Sequence, residues 1–475
     1  MEYFFSVAIL LINFVVGLAI FICFLGREAS KLNFGYVLSL SYGLGLGALS
    51  CIHFFWLVLG LDGSFRWIID IVGLFAAFLI IKKSHFLDDL ALSRKVTVPS
   101  GLWNKVSTYW ALVIALIAVF YALKVSFNLP YGTADAVTNW YPKARFIFFS
   151  DNGDWVNMFS EHFPKWMHAD YPLLLPMSLV RGWTYFGHAS YIYAVILHAS
   201  MFAAATGLIY FTLLSECNRN IALLGMLAFV AMPNVYFILS LQYADIFLLY
   251  FLTAAMSLIC IKGFSPLQHR RSILIAGLIC GFAAWTKNEG WLISACILSS
   301  IVFIRIFIQR DFRDLLSLIA ISALGLSIPL LYKLLYATSN DIVNSSIFSA
   351  ANLFFTSERL MLLLLKLKSV AVDSSLWYFT PFIIFISFSL SAIRCFYGAR
   401  VRLGLALPIV GIVAGYMVAL LIVPIDYDYE WFLQFSLHRI LFQIYPCLII
   451  LAFCFSGSIE NIDVNNSRGL GCSRA

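Results

Sequence analysis

Asp135 ends the segment Tyr131-Gly132-Thr133-Ala134-Asp135, which follows directly on a hydrophobic stretch ending near Val125. A carboxylate at the rim of a membrane segment, partly stripped of water, is equipped to take a proton from an attacking hydroxyl. Its plain alternative is a solvated loop aspartate, or the N-cap of a helix beginning around Asn139. The same polar, aromatic-rich island, Asn128 to His188, also carries Lys143 and Arg145. It closes with His168-Ala169-Asp170-Tyr171-Pro172-Leu173-Leu174-Leu175-Pro176. Its prolines break an interfacial path and pin the chain's re-entry towards the membrane. His168 and Asp170, with His162 nearby, offer oxygen and nitrogen ligands for a divalent cation, although their spacing is looser than that of a dedicated metal site.

Three further polar clusters interrupt apolar sequence. Gln242-Tyr243-Ala244-Asp245 heads a new hydrophobic span, so Asp245 is either paired among helices or part of a site. Trp285-Thr286-Lys287-Asn288-Glu289-Gly290 breaks the hydrophobic stretch 272–308. Gly290 there suits a helix–helix turn, and Lys287 offers a phosphate a point charge at membrane depth. Finally, His438-Arg439 heads the last apolar span, with Gln443 four residues on and therefore on the same helical face. Arg439 either snorkels to the interface or clamps a phosphate with its planar fork.

The elements that position these residues are membrane helices. Hydrophobic residues make up 62% of the 475-residue chain and charged residues 12%, with mean hydropathy +0.91. Soluble domains are nearer about 45–50% apolar and about 25% charged. Runs of about 20 apolar residues suffice to cross a bilayer, and the chain offers them near 3–25, 35–60, 67–81, 106–125, 190–213, 221–239, 245–261, 272–286, 290–308, 315–336, 376–393, 403–424 and 437–456. The expected fold is therefore all-α and polytopic, with about 13 transmembrane helices. The runs lack the alternation of a barrel strand. Short amphipathic pieces, Trp140–Phe149 and Arg359–Lys368, read as helices lying at the interface.

Basic residues orient the bundle. Placing the Lys/Arg-bearing turns inside puts about 19 of the 31 Lys and Arg in the cytoplasm. The amino terminus and the 128–188 island then lie outside and the tail inside, so the net charge of +7 does not point to nucleic acid. None of the ten cysteines falls in an expected external loop, and no disulfide framework is expected. The organisation read from the sequence is an N-terminal helical part, 1–104, a membrane module, 105–456, and a cytoplasmic tail, 457–475.

The ordered set of an external Asp after a membrane helix, Tyr-Pro-Leu-Leu-Leu-Pro, Tyr-Ala-Asp, Thr-Lys-Asn-Glu-Gly and Ser-Leu-His-Arg resembles bacterial GT-C glycosyltransferases. More narrowly, it is similar to the glycosyltransferase family 39 and aminoarabinose-transferase-like group, over roughly residues 105–450. The three leading helices are additional to that plan. The resemblance implies transfer of a sugar, with inversion, from a polyprenyl-phosphate carrier to a glycolipid, polysaccharide or protein acceptor on the non-cytoplasmic face of the plasma membrane. It implies Asp135 as the catalytic base and Lys287 and Arg439 as the residues that hold the carrier phosphate. His168, Asp170, Tyr171, Asp245, Glu289 and His438 complete the expected substrate-binding set. Ala136 stands where protein mannosyltransferases carry a second acidic residue, a departure from the protein-acceptor type.

The residues are consistent with that chemistry on their own terms. A lipid-phosphate donor suits an enzyme with no Gly-rich phosphate loop on a βαβ unit, and fixed cations assist a departing phosphate. Two other classes compete. A transporter or flippase of lipid-linked sugars would spread charges along a path through several helices. Polysaccharide polymerases and ligases, as a third class, place their large external loop late in the chain.

Overall fold

The structure is a computed structural model. It describes the chain except residues 62, 90–101, 151–153, 161–166, 262, 268, 311, 313–314, 339–355, 394–398, 424–427 and 458–475. His162 and the expected tail after Gly457 lie outside the described residues. Everything regular among the described residues is helical, and no strand occurs there.

In chain order the helices are α1 Glu2–Leu25, α2 Phe34–Val58, α3 Trp67–Ser84, α4 Leu102–Asn128, α5 Tyr141–Phe149, α6 Leu174–Phe186, α7 Tyr191–Glu216, α8 Arg219–Val230 and α9 Pro233–Leu241. They continue with α10 Asp245–Cys260, α11 Arg270–Thr286, α12 Glu289–Phe303, α13 Leu315–Leu335, α14 Ser357–Ala371, α15 Ser374–Trp377, α16 Thr380–Ile393, α17 Ala399–Ile422 and α18 Tyr429–Gly457. Local chemistry sets several starts. Asn33, Ser190, Asn218 and Thr356 each cap a helix by accepting from a first-turn backbone N–H, which satisfies donors that have no partner inside the helix. Pro233, whose missing N–H costs nothing at a first position, opens α9.

Each of the apolar stretches read from the sequence is helical, but not all are full spans. Among the described residues seven helices are long and apolar enough to cross a membrane, or eight if the pair α8 and α9, bent by 53° at their break, counts as one. Shorter apolar helices, Asp245–Cys260 among them, fill in the bundle. Asp245–Cys260 falls short in length, at 16 residues, whereas Trp67–Ser84 carries Asp70, Lys82 and Lys83 within its 18 residues. Breaks at Gln242–Ala244 and Lys287–Asn288 cut apolar sequence short where polar residues enter. Large exposed apolar side chains, among them Phe75, Phe78, Phe120, Phe307, Phe382 and Phe385, line the outer helix surfaces. Water would penalise such an exterior, and lipid tails would not. The chain is an all-helical, multi-pass membrane protein.

The three leading helices are built into the bundle. Tyr250 of α10 donates to the carbonyl of Ser39 in α2, and the Trp285 indole of α11 donates to Ser50, also in α2. A buried ion pair ties α3 to α6, where Arg181 Nε reaches both oxygens of Asp70 at 2.9 Å. Tyr185 donates to the same carboxylate at 2.6 Å. Isolated charges are very costly inside a bundle, so their pairing is what makes these burials tolerable.

Candidate functional site

The site begins at the break between α9 and α10. Gln242 takes a left-handed conformation (φ 57°) that ends α9. Its side chain donates to the carbonyls of Leu129 and Pro130, both at 2.9 Å, and accepts from the Tyr141 hydroxyl. Thr133 adds a backbone hydrogen bond to Leu241 and a hydroxyl contact with Tyr243 at 2.9 Å. Gly132, at φ 67°, fits because a Cβ there would lie 2.4 Å from the Leu241 carbonyl oxygen. The segment after α4 is thereby laid across the α9–α10 break, which sets Asp135 close to the start of α10. A π-helical turn, Ala136–Trp140, follows at once, and Asp135 makes no side-chain cap to it.

Asp245 is the hub. Its carboxylate is fully buried and receives Arg439 Nη2 at 2.8 Å, Gln443 Nε2 at 2.8 Å and Lys287 Nζ at 3.3 Å. Arg439 and Gln443 stand one turn apart on α18, so one helical face delivers both. Tyr416 of α17 donates to the Gln443 amide oxygen at 2.6 Å, which fixes which way that amide points. Each cation then has a second, outer carboxylate. Arg439 Nη2 meets Asp135 at 2.9 Å, and Lys287 meets Glu289 at 2.9 Å. The Arg439 guanidinium also lies 4.7 Å above the Tyr243 ring, a favourable place for a cation. The result is a charge chain, Asp135–Arg439–Asp245–Lys287–Glu289, drawn from four separate stretches of sequence.

The break between α11 and α12 joins this chain to the 168–171 segment. Gly290 packs so tightly that a Cβ would lie 1.9 Å from the Ala283 carbonyl oxygen. Between Lys287 and Glu289, the Asn288 amide donates to the Asp170 carboxylate, which also lies 3.9 Å from Lys333 Nζ. Tyr171 follows, its ring packed on Trp140 at 5.6 Å and His168 at 5.4 Å. The negative charge of Glu289, with burial and the neighbouring Asp170, holds the Tyr171 phenol well above its ordinary pKa, so it remains a protonated donor.

Accessibility separates the members. The side chain of Asp135 is 37% exposed and that of Arg439 24%, whereas Lys287 is at 4%. Asp135 and Arg439 therefore form the open face, while Lys287 and Asp245 lie behind it. Asp135, Asp170, Tyr171, Asp245, Lys287, Glu289 and Arg439 are brought together. His438 is turned elsewhere: its ring faces Phe237 at 5.8 Å and its Nδ1 meets the Gln434 carbonyl of its own helix at 3.0 Å. His168 contributes its carbonyl, which accepts from Lys143 Nζ.

A divalent cation finds poor accommodation here. No group of three or more His, Cys, Asp or Glu among the described residues is placed to hold a metal. Lys333 stands beside the Asp170 carboxylate, and Lys143 acts on it electrostatically. Two such cations oppose a third.

Lys143 was named in the polar island without a role, and Tyr332, Lys333, Asp70 and Arg181 were not picked out by sequence reading. The usable signal for Lys333 and Asp70 is an ionisable residue inside an apolar run. No family model, curated protein or solved structure matches the chain.

Proposed function

We propose that the protein is an inverting glycosyltransferase that moves a sugar from a polyprenyl-phosphate carrier to a cell-envelope acceptor. The observation that carries this reading is the Asp135–Arg439 pair at the open end of the buried charge chain. A carrier phosphate approaching Arg439 competes with Asp135 for the guanidinium and frees that carboxylate to face an acceptor hydroxyl. The acceptor oxygen then attacks the anomeric carbon from the face opposite the phosphate. Its proton passes to Asp135, the carbon–oxygen bond to phosphate breaks, and the electron pair leaves on the phosphate. Arg439, held rigid by Asp245 and Tyr243, meets the growing negative charge without reorganising. The positive-inside rule assigns this face of the bundle to the outside of the plasma membrane, where a lipid-borne donor is available and nucleotide sugars are not expected.

The expected acceptor is a surface glycolipid or polysaccharide, since Ala136 departs from the protein-acceptor pattern. A flippase reading would draw on the second buried ion pair, Asp70–Arg181. That pair is fully enclosed, at 1% exposure for both partners, which suits a structural tie better than a path.

The test uses purified full-length protein in lipid vesicles. Label should pass from a polyprenyl-phosphate-linked sugar to an extract of surface glycolipids, and none should pass from a nucleotide sugar alone. Efficient transfer from the nucleotide sugar would overturn the donor class. Absence of transfer with both donors, together with flux of lipid-linked sugar across sealed vesicles, would establish the flippase instead.

A further inference from the structure

Residues 168–171 form an irregular segment whose backbone is held by side chains from elsewhere in the bundle. Four successive carbonyls are engaged. That of His168 accepts from Lys143 Nζ, that of Ala169 from the Tyr332 hydroxyl at 2.8 Å, that of Asp170 from Lys333 Nζ, and that of Tyr171 from the same Tyr332 hydroxyl at 2.9 Å. Such carbonyls are ordinarily satisfied by regular secondary structure or by water. Here two lysine amines and a phenol are committed to them. His168 also sits at φ 44°, a left-handed conformation uncommon for a side chain of its size, which persists where the surroundings impose it.

Tyr332 and Lys333 are neighbours on α13, and Lys143 comes from α5. The Tyr332 ring is fully buried and packed against Trp285 at 5.4 Å, Phe159 at 5.9 Å and Phe54 at 6.0 Å, so the hydroxyl has little freedom. Trp285 lies two residues before Lys287. The last turns of α13 therefore touch both segments that deliver site residues, 168–171 and 285–290. Burial supports this picture at Lys143 as well. Enclosed beneath Trp140 and Tyr171, its amine is pushed down to about 7, a burden that the fold carries at a lysine spent on a backbone oxygen.

We infer that Lys333 and Tyr332, with Lys143, are positioning residues: they clamp the 168–171 backbone so that Asp170 is held on Asn288, between Lys287 and Glu289 of the charge chain, with Tyr171 beside it. None of them touches Asp135 or Arg439 in the contacts described, so their effect on chemistry passes through the segment they hold. The inference rests on the transfer reaction proposed above for its kinetic consequence, though not for the clamp itself. An error of about 1 Å in such a segment lowers turnover by about 100-fold while leaving remote binding contacts in place.

The experiment compares full-length wild type, Lys333→Met, Lys333→Arg and Tyr332→Phe in lipid, with two readouts. One is amide hydrogen exchange over the peptide spanning 168–173, and the other is transfer from a polyprenyl-phosphate-linked sugar. Lys333→Met should speed exchange by roughly 10-fold or more. It should also lower kcat by about 10- to 100-fold with the donor KM changed less than about threefold. Lys333→Arg, which still donates, should restore both readouts most of the way. Tyr332→Phe removes one hydroxyl and two hydrogen bonds with no change of charge; it should move both readouts in the same direction, and it decides the matter if Lys333→Met does not accumulate. Exchange unchanged from wild type would overturn the clamp. Faster exchange at unchanged kcat would overturn the positioning role and leave a structural tie. A wild-type chain without transfer would overturn the reaction proposed above and the kinetic role with it, and the exchange data would then decide the clamp alone.

Discussion

Replacing Asp245 by Asn tests the charge chain at the point where it carries most. The carboxylate is fully buried and serves Lys287, Arg439 and Gln443 together. An asparagine of the same shape keeps one acceptor oxygen but turns an N–H2 towards groups that are themselves donors. Two cations are then left around a neutral side chain. Removing one partner of a buried ion pair costs about 3–5 kcal/mol. The lower end applies here, because Arg439 retains Asp135 and Lys287 retains Glu289, each at 2.9 Å. We therefore expect about 3 kcal/mol lost in Asp245→Asn. Asp135→Asn removes only a partly exposed pair and should cost about 1 kcal/mol or less.

Unfolding of the purified variants by denaturing detergent, followed by tryptophan fluorescence, measures the contrast. A second variant sharpens it. Lys287→Met added to Asp245→Asn takes away one of the two cations around the neutral side chain but also the partly exposed Lys287–Glu289 pair, so the double variant should be no less stable than Asp245→Asn alone. In the proposed reaction the guanidinium that Asp245 orients meets the phosphate, so on that reading transfer should fail in Asp245→Asn even though the carboxylate itself does not meet substrate. The reasoning is refuted if Asp245→Asn is no less stable than Asp135→Asn, or if adding Lys287→Met makes matters worse.

Asp135→Asn should lower transfer by about 100-fold or more while protein level and thermal stability stay near wild type, as removal of a general base requires; near-normal turnover would remove the assignment. Lys143, displaced from 10.5 to about 7 by burial, should make stability depend on pH. Between about pH 7 and 10 the unfolded chain holds the proton that the folded chain has released, so stability should rise with pH across that window, by up to about 4 kcal/mol. Melting temperatures followed over that range should show the slope in wild type and lose it in Lys143→Met. Gly290→Ala forces a methyl group onto the Ala283 carbonyl oxygen at 1.9 Å; it should reduce the amount of folded protein recovered in membranes, whereas the nearby Ser294→Ala should cost far less.

The helical, membrane-spanning character was legible because apolar runs of this length have few other solutions. The breaks at Gln242 and Lys287 were legible too, since they fall between the expected spans 221–239 and 245–261 and between 272–286 and 290–308. The 53° bend between Val230 and Pro233 was not, because it interrupts a run that hydropathy alone joins. Candidate site residues were legible for a related reason. Asp245, Lys287 and Arg439 stand out as charges in apolar surroundings, and the expense of burying them implies partners. Lys333 and Tyr332 escaped notice because one tyrosine and one lysine near the end of an apolar run read equally well as interfacial anchors. Only the folded chain shows them turned onto the carbonyls of residues 160 or more positions earlier.

Which partner each charge takes was not legible in the sequence, and the reason is geometric. Lys287 seemed the natural ligand for a phosphate, yet it is enclosed between Asp245 and Glu289 and almost unexposed. A lysine in that position neutralises and braces; a ligand that reached it would have to displace a carboxylate from a dry interior. Arg439 differs because a guanidinium has more donors than one carboxylate can use. It can keep Asp245 behind it, rest on Tyr243 and still exchange Asp135 for an incoming anion at its exposed edge. The division of labour among the charges therefore follows from donor number and depth together: the five-donor cation stands at the opening, and the three-donor cation is consumed inside. Exchange of Arg439 by Lys would leave the charge but not the spare donors, so the geometry assigns it a larger loss of transfer than of stability.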